Sequence, residues 1–597
     1  MIRRTVPPCI LLRLFRWYCQ PELRDSIEGD LIELYQERLH TIGKTRASIR
    51  LALDVILLFR PGIIRSFGQQ TTTTNPLAMF SNYFKIGWRS LVKQKSYSII
   101  NVGGLALGIG VSMIIGLWVY DELTFNSYHK NYDKIAKVYR HNTFTSGMEA
   151  NLFSVAGLGT LLKSEYDQYF ENVVMMRASR DTRILQKGEK WFGEYGYSMQ
   201  ADGPEMLSLK MRQGTIRGLD DNSSIMLSET VADKLFPDGD PINQIVRVDS
   251  KWDLKVTGVY EDLPQNSEFV NAKYIVPLEL YLGPTGLNIW DNYNIFIYVQ
   301  LKPGLDFTNV SLAIKDAMLP HVDERTAASN PELFLLPMKD WHLNSYFENG
   351  VQTTSPRMNA VTYFSIIGVF VLLLACINFV NLNTARSERR AKEVGIRKSV
   401  GSVRQQLVNQ FLIESVLVVA LAFILAIPLI QLTLPSFNNL TDKSLALPFT
   451  HWQFWLGGLG FVLFIGVVAG SYPALYLSSF NATQVLKGTF RVGAYSSLPR
   501  QIMVIVQFAV SVMLITGTFI IYRQIEFGRN RSLGYDKNGL VAIRLCAQEN
   551  RGDTELLRSQ LISTGVVQDI AESNYPVTST LGWNDNFQWK TKTDDIE

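Results

Sequence analysis

Residues 361–385 run for 25 positions without a charged side chain, and about 20 apolar residues in a helix are enough to cross a bilayer. Residues 96–120, 415–441, a segment centred on 454–476, and 501–522 have the same character. Buried helices of a soluble core keep a polar face, which these runs lack. The expected fold class is a multi-pass α-helical membrane protein with five spans. Composition agrees, since 597 residues with 47% hydrophobic and 19% charged side chains and a mean hydropathy of +0.05 are too apolar for a soluble chain of this length.

Basic residues set the orientation of such spans. Lys85, Arg89, Lys93 and Lys95 precede the first run with no acid among residues 82–97, while Asp121 and Glu122 follow it. The N-terminus is therefore expected in the cytoplasm. Between the second and third runs lie seven basic residues, Arg386, Arg389, Arg390, Lys392, Arg397, Lys398 and Arg404, against Glu388 and Glu393. Lys487, Arg491 and Arg500 stand between the fourth and fifth runs, and the loop between the third and fourth has only Asp442 and Lys443. All of these fit an alternating topology. Residues 523–597 are not depleted in positive charge, so their external placement follows from parity alone.

Residues 1–75 read as a cytoplasmic helical prefix and linker: Leu23, Ile27, Leu31, Leu34 and Leu39 recur at helical spacing, and TTTTN (71–75) is linker-like. Arg13 and Arg16 interrupt the opening apolar stretch before it can serve as a signal peptide. Residues 76–120 form a basic juxtamembrane segment and the first span. Residues 121–360 form an extracytoplasmic domain with mixed α and β signals, including IVRVDSKWDLKVTGVY (245–260), which alternates around a Ser250–Lys251 turn, and YNIFIYVQLKPG (293–304), which stops at Pro-Gly. The second to fourth spans fall at 361–382, 412–434 and 454–476 within residues 361–480. A loop and the fifth span occupy 481–522, and 523–597 begin a second external segment in which GLVAIRL (539–545) reads as a strand.

Catalytic chemistry has no residues to rest on. IGKT (42–45) ends like a phosphate-binding loop, but Arg38 stands where the first glycine is required, so a turn between helices is expected. Six scattered histidines lack metal-ligand spacing, and no residue is assigned as catalytic or metal-binding. Cys9, Cys19, Cys376 and Cys546 form neither a disulfide framework nor a paired metal motif. A net charge of +4 is too small for a global basic field, so nucleic acid is not an expected partner. No cofactor is expected in this chain; the lipid bilayer is its first partner.

Within the spans, Gly104 with Gly108 and Gly466 with Gly470 form GxxxG patterns that allow close helix approach. Pro473 should bend or end the fourth span. Glu414 is expected in the first turn of the third span, where the helix dipole favours a carboxylate. In the basic loop, Glu388/Lys392 and Glu393/Arg397 are favourable i,i+4 pairs, and Gly395 and Gly401 divide the loop into short pieces.

RRAKEVGIRKSVGS with QFLIESVL (389–402, 410–417), AGSYPALYLSSF (469–480) and VLKG (485–488) resemble the FtsX-type permease module of MacB-like ABC transporters. LSETVADKLFPDGDPIN (227–243) and VTGVYEDLPQNS (256–267) resemble that family's periplasmic core domain, and residues 500–527 resemble the start of a second module. The first 65 residues or so resemble a cytoplasmic prefix of some of these permeases. Asn243, Glu268 and Ala482 depart from residues common in the family, namely Gly, His and Pro. The resemblance implies a bacterial inner-membrane permease subunit driven by a separate ABC ATPase that binds the ATP, with the substrate handled outside in an export or mechanotransmission step. It implies that Arg389, Arg390, Lys392, Glu393, Gly395, Ile396, Arg397, Lys398 and Gly401 form the ATPase-docking loop; a second permease copy and a periplasmic adaptor are further expected partners. A two-module permease continues through a second external domain to three more spans, so this chain is expected to stop within the second module. A membrane-anchored sensor that signals without transport is the alternative.

Overall fold

A computed structural model of the chain describes residues 12–13, 15–16, 19, 21–58, 76–145, 147–177, 181–283, 285–385, 387–478, 494–532, 534–536, 538–543 and 554–573. The chain divides after Gln94 into two compact units. In the first, helices Pro21–Ile42 and Lys44–Leu57 meet at Gly43, whose φ of 77° lies in the left-handed region that glycine tolerates. The GKT stretch is therefore a helix-to-helix turn. Leu31, Tyr35, Ala47, Leu51 and Val55 close a small core with Phe15 and Cys19, and Arg38 pairs with Asp54. Leu34 points out at 41% exposure, because Tyr35 is the residue one turn on from Leu31 that faces inward. The TTTTN stretch lies outside the described residues.

Among the described residues, five helices are long and apolar enough to cross a membrane: Lys95–Leu123, Pro356–Ala385, Arg404–Thr441, Trp452–Ser478 and Ala494–Asn530. Several expectations within them change. The third helix begins at Arg404, so Glu414 sits in its third turn, beyond the range in which the dipole acts. The fourth helix runs through Pro473 to Ser478 rather than ending there. Pro428 and Pro435 are likewise carried inside the third helix. Residues 540–543 form no strand, and Arg544 and Leu545 lie outside the described residues.

Between the first two spans the chain folds into the expected mixed domain. Its main sheet runs in the order Tyr274–Pro277, Ser224–Ser228, Trp252–Tyr260, Ile245–Val248, Asp181–Lys187, Lys190–Met199, Phe170–Arg177, Ile295–Leu301, Ile135–Phe144, Glu332–Pro337. Tyr274–Pro277 also pairs in parallel with Lys190–Met199, so the first six strands close into a ring. The ring encloses Leu185, Ile225, Leu227, Val246, Val256 and Val276, with helix Glu229–Leu235 packed against the same core. Along Ile245–Val248 alternation sends Val246 and Val248 inward and Ile245 and Arg247 outward, as a half-buried strand requires, while Ser224–Ser228 and Tyr274–Pro277 are buried throughout. The Ile245–Val248 and Trp252–Tyr260 strands pair as a hairpin. Its turn centres on Asp249 and Ser250, at φ 51° and 55°, one residue earlier than the expected Ser250–Lys251. Asn243 adopts φ 66°, a left-handed conformation that asparagine tolerates and glycine prefers.

Asp262 ties the ring to its helix, accepting from Lys273 Nζ at 2.7 Å and from Thr230 N at 2.9 Å. Burial alone would raise its pKa, but these hydrogen bonds outweigh it and hold the carboxyl at about 2. A depressed carboxyl contributes stability above its unfolded pKa and loses it as pH falls towards the folded value. Asp262→Asn is expected to cost about 1–2 kcal/mol at neutral pH. Unfolding midpoints of the full-length wild type and variant in detergent should converge as pH falls from about 5 to about 2. A pH-independent gap would mean that the charge of Asp262 plays no part.

Candidate docking site

The basic loop folds as helix Ser387–Ser399 at the end of the spans away from the inserted domain, leaving one turn before the third span helix starts at Arg404. Gly395 lies inside this helix and is buried, so it does not divide the loop. Gly401 does, at φ 105°, a conformation reserved for glycine. Its N–H donates to Lys398 O at 3.1 Å, and Ser402 N donates to Arg397 O at 3.0 Å.

One face of the helix is seated on the spans. Val394 is buried with Leu407 and Phe411 of the third span helix and Ala474 of the fourth. Arg397 donates to Glu393 Oε1 at 2.7 Å and also bonds Gln410 Oε1, which bridges the loop helix to the third span. Lys398 Nζ donates to Ser478 O at 2.7 Å, the last residue of the fourth span helix. Burial and the nearby Arg404 charge both lower the Lys398 pKa. Arg397 and Lys398 therefore spend their charge on this chain's own helix ends. Among the proposed docking residues, the side chains of Arg389, Arg390 and Lys392 lie outside what the structure describes, as does the Glu388/Lys392 pair.

The opposite side is open and carries exposed apolar side chains beside Glu393. Ile396 is 55% exposed, Val400 83% and Val403 58%. Ile396, near the end of the helix, Val400, just past it, and Val403, beyond the Gly401 turn, leave three exposed apolar side chains along this short stretch. Val400 and Val403 were absent from the residues singled out in sequence. The signal was there: Val394 and Ile396 are two positions apart, so on a helix they face opposite sides and only one can be buried.

The spans beneath the loop helix are tightly packed. A Cβ at Gly108 would lie 2.3 Å from Ala375 Cβ, and one at Gly104 would lie 3.5 Å from Asn378 Nδ2, so this pair faces the second span. Gly466 faces Val416, and Gly470 faces Ser415, both at 2.6 Å on the third span. Gly458, missed in sequence, extends the same stripe against Phe423. Pro473 lies one turn further along the fourth span, next to the buried Ala474. Among the described residues, no cluster of His, Cys, Asp and Glu could hold a metal ion.

Comparison with known proteins falls on the same parts of the chain. Residues 98–317 match the MacB-like periplasmic core domain, and residues 365–482 match the FtsX-like permease C-terminal domain. The uncharacterized ABC transporter permease YknZ of Bacillus subtilis is 24% identical over 297 residues, covering 47% of this chain and 66% of that protein. The macrolide export ATP-binding/permease protein MacB of Campylobacter jejuni is 23% identical over 425 residues, covering 68% of this chain and 61% of that protein. The chain thus spans less than two thirds of the length of these relatives. The crystal structure of the periplasmic region of MacB from Actinobacillus actinomycetemcomitans aligns with 35% of this chain and 90% of its own at 18% identity and a TM-score of 0.26. The first match covers most of the inserted domain and the second runs from the second span to the end of the fourth, including the loop helix. The chain belongs to the MacB/FtsX-like family of ABC transporter permeases.

Proposed function

We propose that the chain is the transmembrane permease subunit of an ABC transporter in the bacterial inner membrane, with its N-terminus in the cytoplasm and residues 121–360 in the periplasm. A separate ATPase docks on helix Ser387–Ser399 and the Gly401 turn, and ATP-driven movement passes through the spans to the inserted domain in an export or mechanotransmission step. The exposed set Ile396, Val400 and Val403 carries this reading. Three apolar side chains, each more than half exposed, on a helix fixed to the spans and on the turn that follows it, present a preformed anchor for a partner's pocket. The basic residues flanking them attract an acidic partner surface and hold the loop to the cytoplasmic side.

Gly43 sits in a turn between two helices and not after a strand, so IGKT does not form a phosphate-binding loop, and in this reading ATP is hydrolysed by the partner. Purified alone, the chain is expected to show ATPase activity at background, and Lys44→Ala should leave any complex fully active. The chain isolated from its native membrane should bring an ABC ATPase with it. Hydrolysis by the isolated chain that disappears in Lys44→Ala, or isolation from native membranes without any ATPase, would overturn the reading.

A further inference from the structure

At the domain end of the spans a charged cluster ties together four segments far apart in sequence. Lys443, in the loop between the third and fourth spans, lies 2.7 Å from Asp121 Oδ2 and 2.8 Å from Glu122 Oε1 at the end of the first span. The other Glu122 oxygen lies 2.6 Å from His342 Nε2 in the inserted domain, and His342 Nδ1 lies 3.0 Å from Arg357 Nη1 at the start of the second span. Phe125 stacks on the His342 ring at 3.7 Å and 7°. Glu122 has 5% and Lys443 14% of its side chain exposed.

The partners fix the imidazole proton. Arg357 can only donate, so Nδ1 accepts, and Nε2–H donates to Glu122. Glu122 is thus shared, one oxygen held by the loop and the other by the domain. Burial alone would lower the Lys443 pKa, but its hydrogen bonds to Asp121 and Glu122 raise it, so the cation is held.

Both sides of the cluster are stiff. On the loop side, Asn438 Nδ2 donates to Leu445 O at 2.9 Å and its Oδ1 accepts from Leu445 N at 3.1 Å, while Leu445 and Leu447 pack with Ile430, Leu434 and Trp118. On the domain side, His342 follows Trp341, whose indole N–H donates to Leu336 O at 2.8 Å. The Trp341 ring packs edge-on against Tyr298 and lies 4.4 Å from Lys137 Nζ. Lys137 in turn pairs at 2.5 Å with Glu268, in the turn ahead of strand Tyr274–Pro277.

We propose that this cluster is the joint through which the loop between the third and fourth spans moves the inserted domain, with Lys443 as its positioning residue. Glu122, at the end of the first span, joins the loop to the domain through short charge-assisted bonds to Lys443 and His342, which hold a fixed geometry and break at a discrete displacement. The attachment stands on the geometry alone; the motion it carries rests on the proposed ATP-driven function.

The test uses the full chain in lipid nanodiscs with its four cysteines replaced by serine and spin labels at Leu312→Cys in the domain and Leu440→Cys at the loop, both highly exposed. Wild type and Lys443→Arg should give one narrow distance distribution. Lys443→Met should at least double its width. If Lys443→Met does not accumulate, Glu122→Gln carries the same expectation at nearly unchanged volume. An unchanged width in whichever variant accumulates overturns the joint. With an ATPase partner bound, ATP should shift the distance in wild type and Lys443→Arg and leave Lys443→Met unmoved; a shift of wild-type size in Lys443→Met also overturns the joint. Absence of any shift in wild type counts against the ATP-driven function and leaves the attachment result standing.

Discussion

Gly466→Val is expected to abolish the folded membrane bundle. A Cβ at this position already lies 2.6 Å from Val416 Cγ2 and 2.8 Å from Val416 Cα on the third span. A side chain could rotate away, but a backbone atom can yield only if the helices part. Apolar lipid gives the separated helices no hydrophobic penalty, so their association rests on the van der Waals contact that the branched side chain removes. Overpacking of this kind costs about 1–3 kcal/mol in soluble cores. Here the same displacement unseats Gly458 and Gly470 along the stripe. The loss should appear as at least a tenfold drop in monodisperse yield on size-exclusion chromatography in detergent. Gly460→Val is the matched control, because nothing lies within 4 Å of a Cβ there. A Gly466→Val protein with wild-type yield and thermal midpoint would show that close packing is not what joins these spans.

The contrast between Gly466 and Gly460 marks how far the sequence can be read. Spans are legible because the bilayer imposes one requirement on every residue of a long run, and five uncharged runs meet it. Which glycine faces a neighbour depends on the rotation of each helix, and an apolar surface on all sides carries no moment to reveal it. The domain hairpin at 245–260 was legible from alternation, since a one-residue slip would expose its whole apolar set. Closure of six strands into a ring was not, because the parallel pairing of Tyr274–Pro277 with Lys190–Met199 joins strands some 80 residues apart without a local signal. Charge marks the loop in the sequence but does not show how that charge is placed on its surface. Arg397 and Lys398 are the residues most easily assigned to a partner, yet the ends of the neighbouring helices offer Gln410 and Ser478 as nearer acceptors. Lys443, a lone cation in a short loop, carried no signal at all; its meaning comes from Asp121 and Glu122, more than 300 residues earlier.

That division of the loop helix gives the second large effect. Ile396→Glu with Val400→Glu is expected to abolish binding of the ATPase and leave the permease folded. Both side chains are exposed in the isolated chain, so the substitutions cost the monomer little. In the complex they would bury carboxylates where apolar anchors belong, a loss of at least 2 kcal/mol for each central contact and so more than about 30-fold in affinity. Lys398→Glu should behave differently. It sets a carboxylate against Ser478 O and beside the buried Val394, so the helix leaves its seat and the thermal midpoint of the permease itself falls. Binding is then lost as a consequence of the fold, whereas the Ile396→Glu, Val400→Glu variant loses it with the midpoint unchanged. Co-purification and thermal unfolding, measured on the same two preparations, separate the cases. An Ile396→Glu, Val400→Glu permease that retains its ATPase at the wild-type ratio would place the docking surface elsewhere on the loop, on the side of Arg389, Arg390 and Lys392.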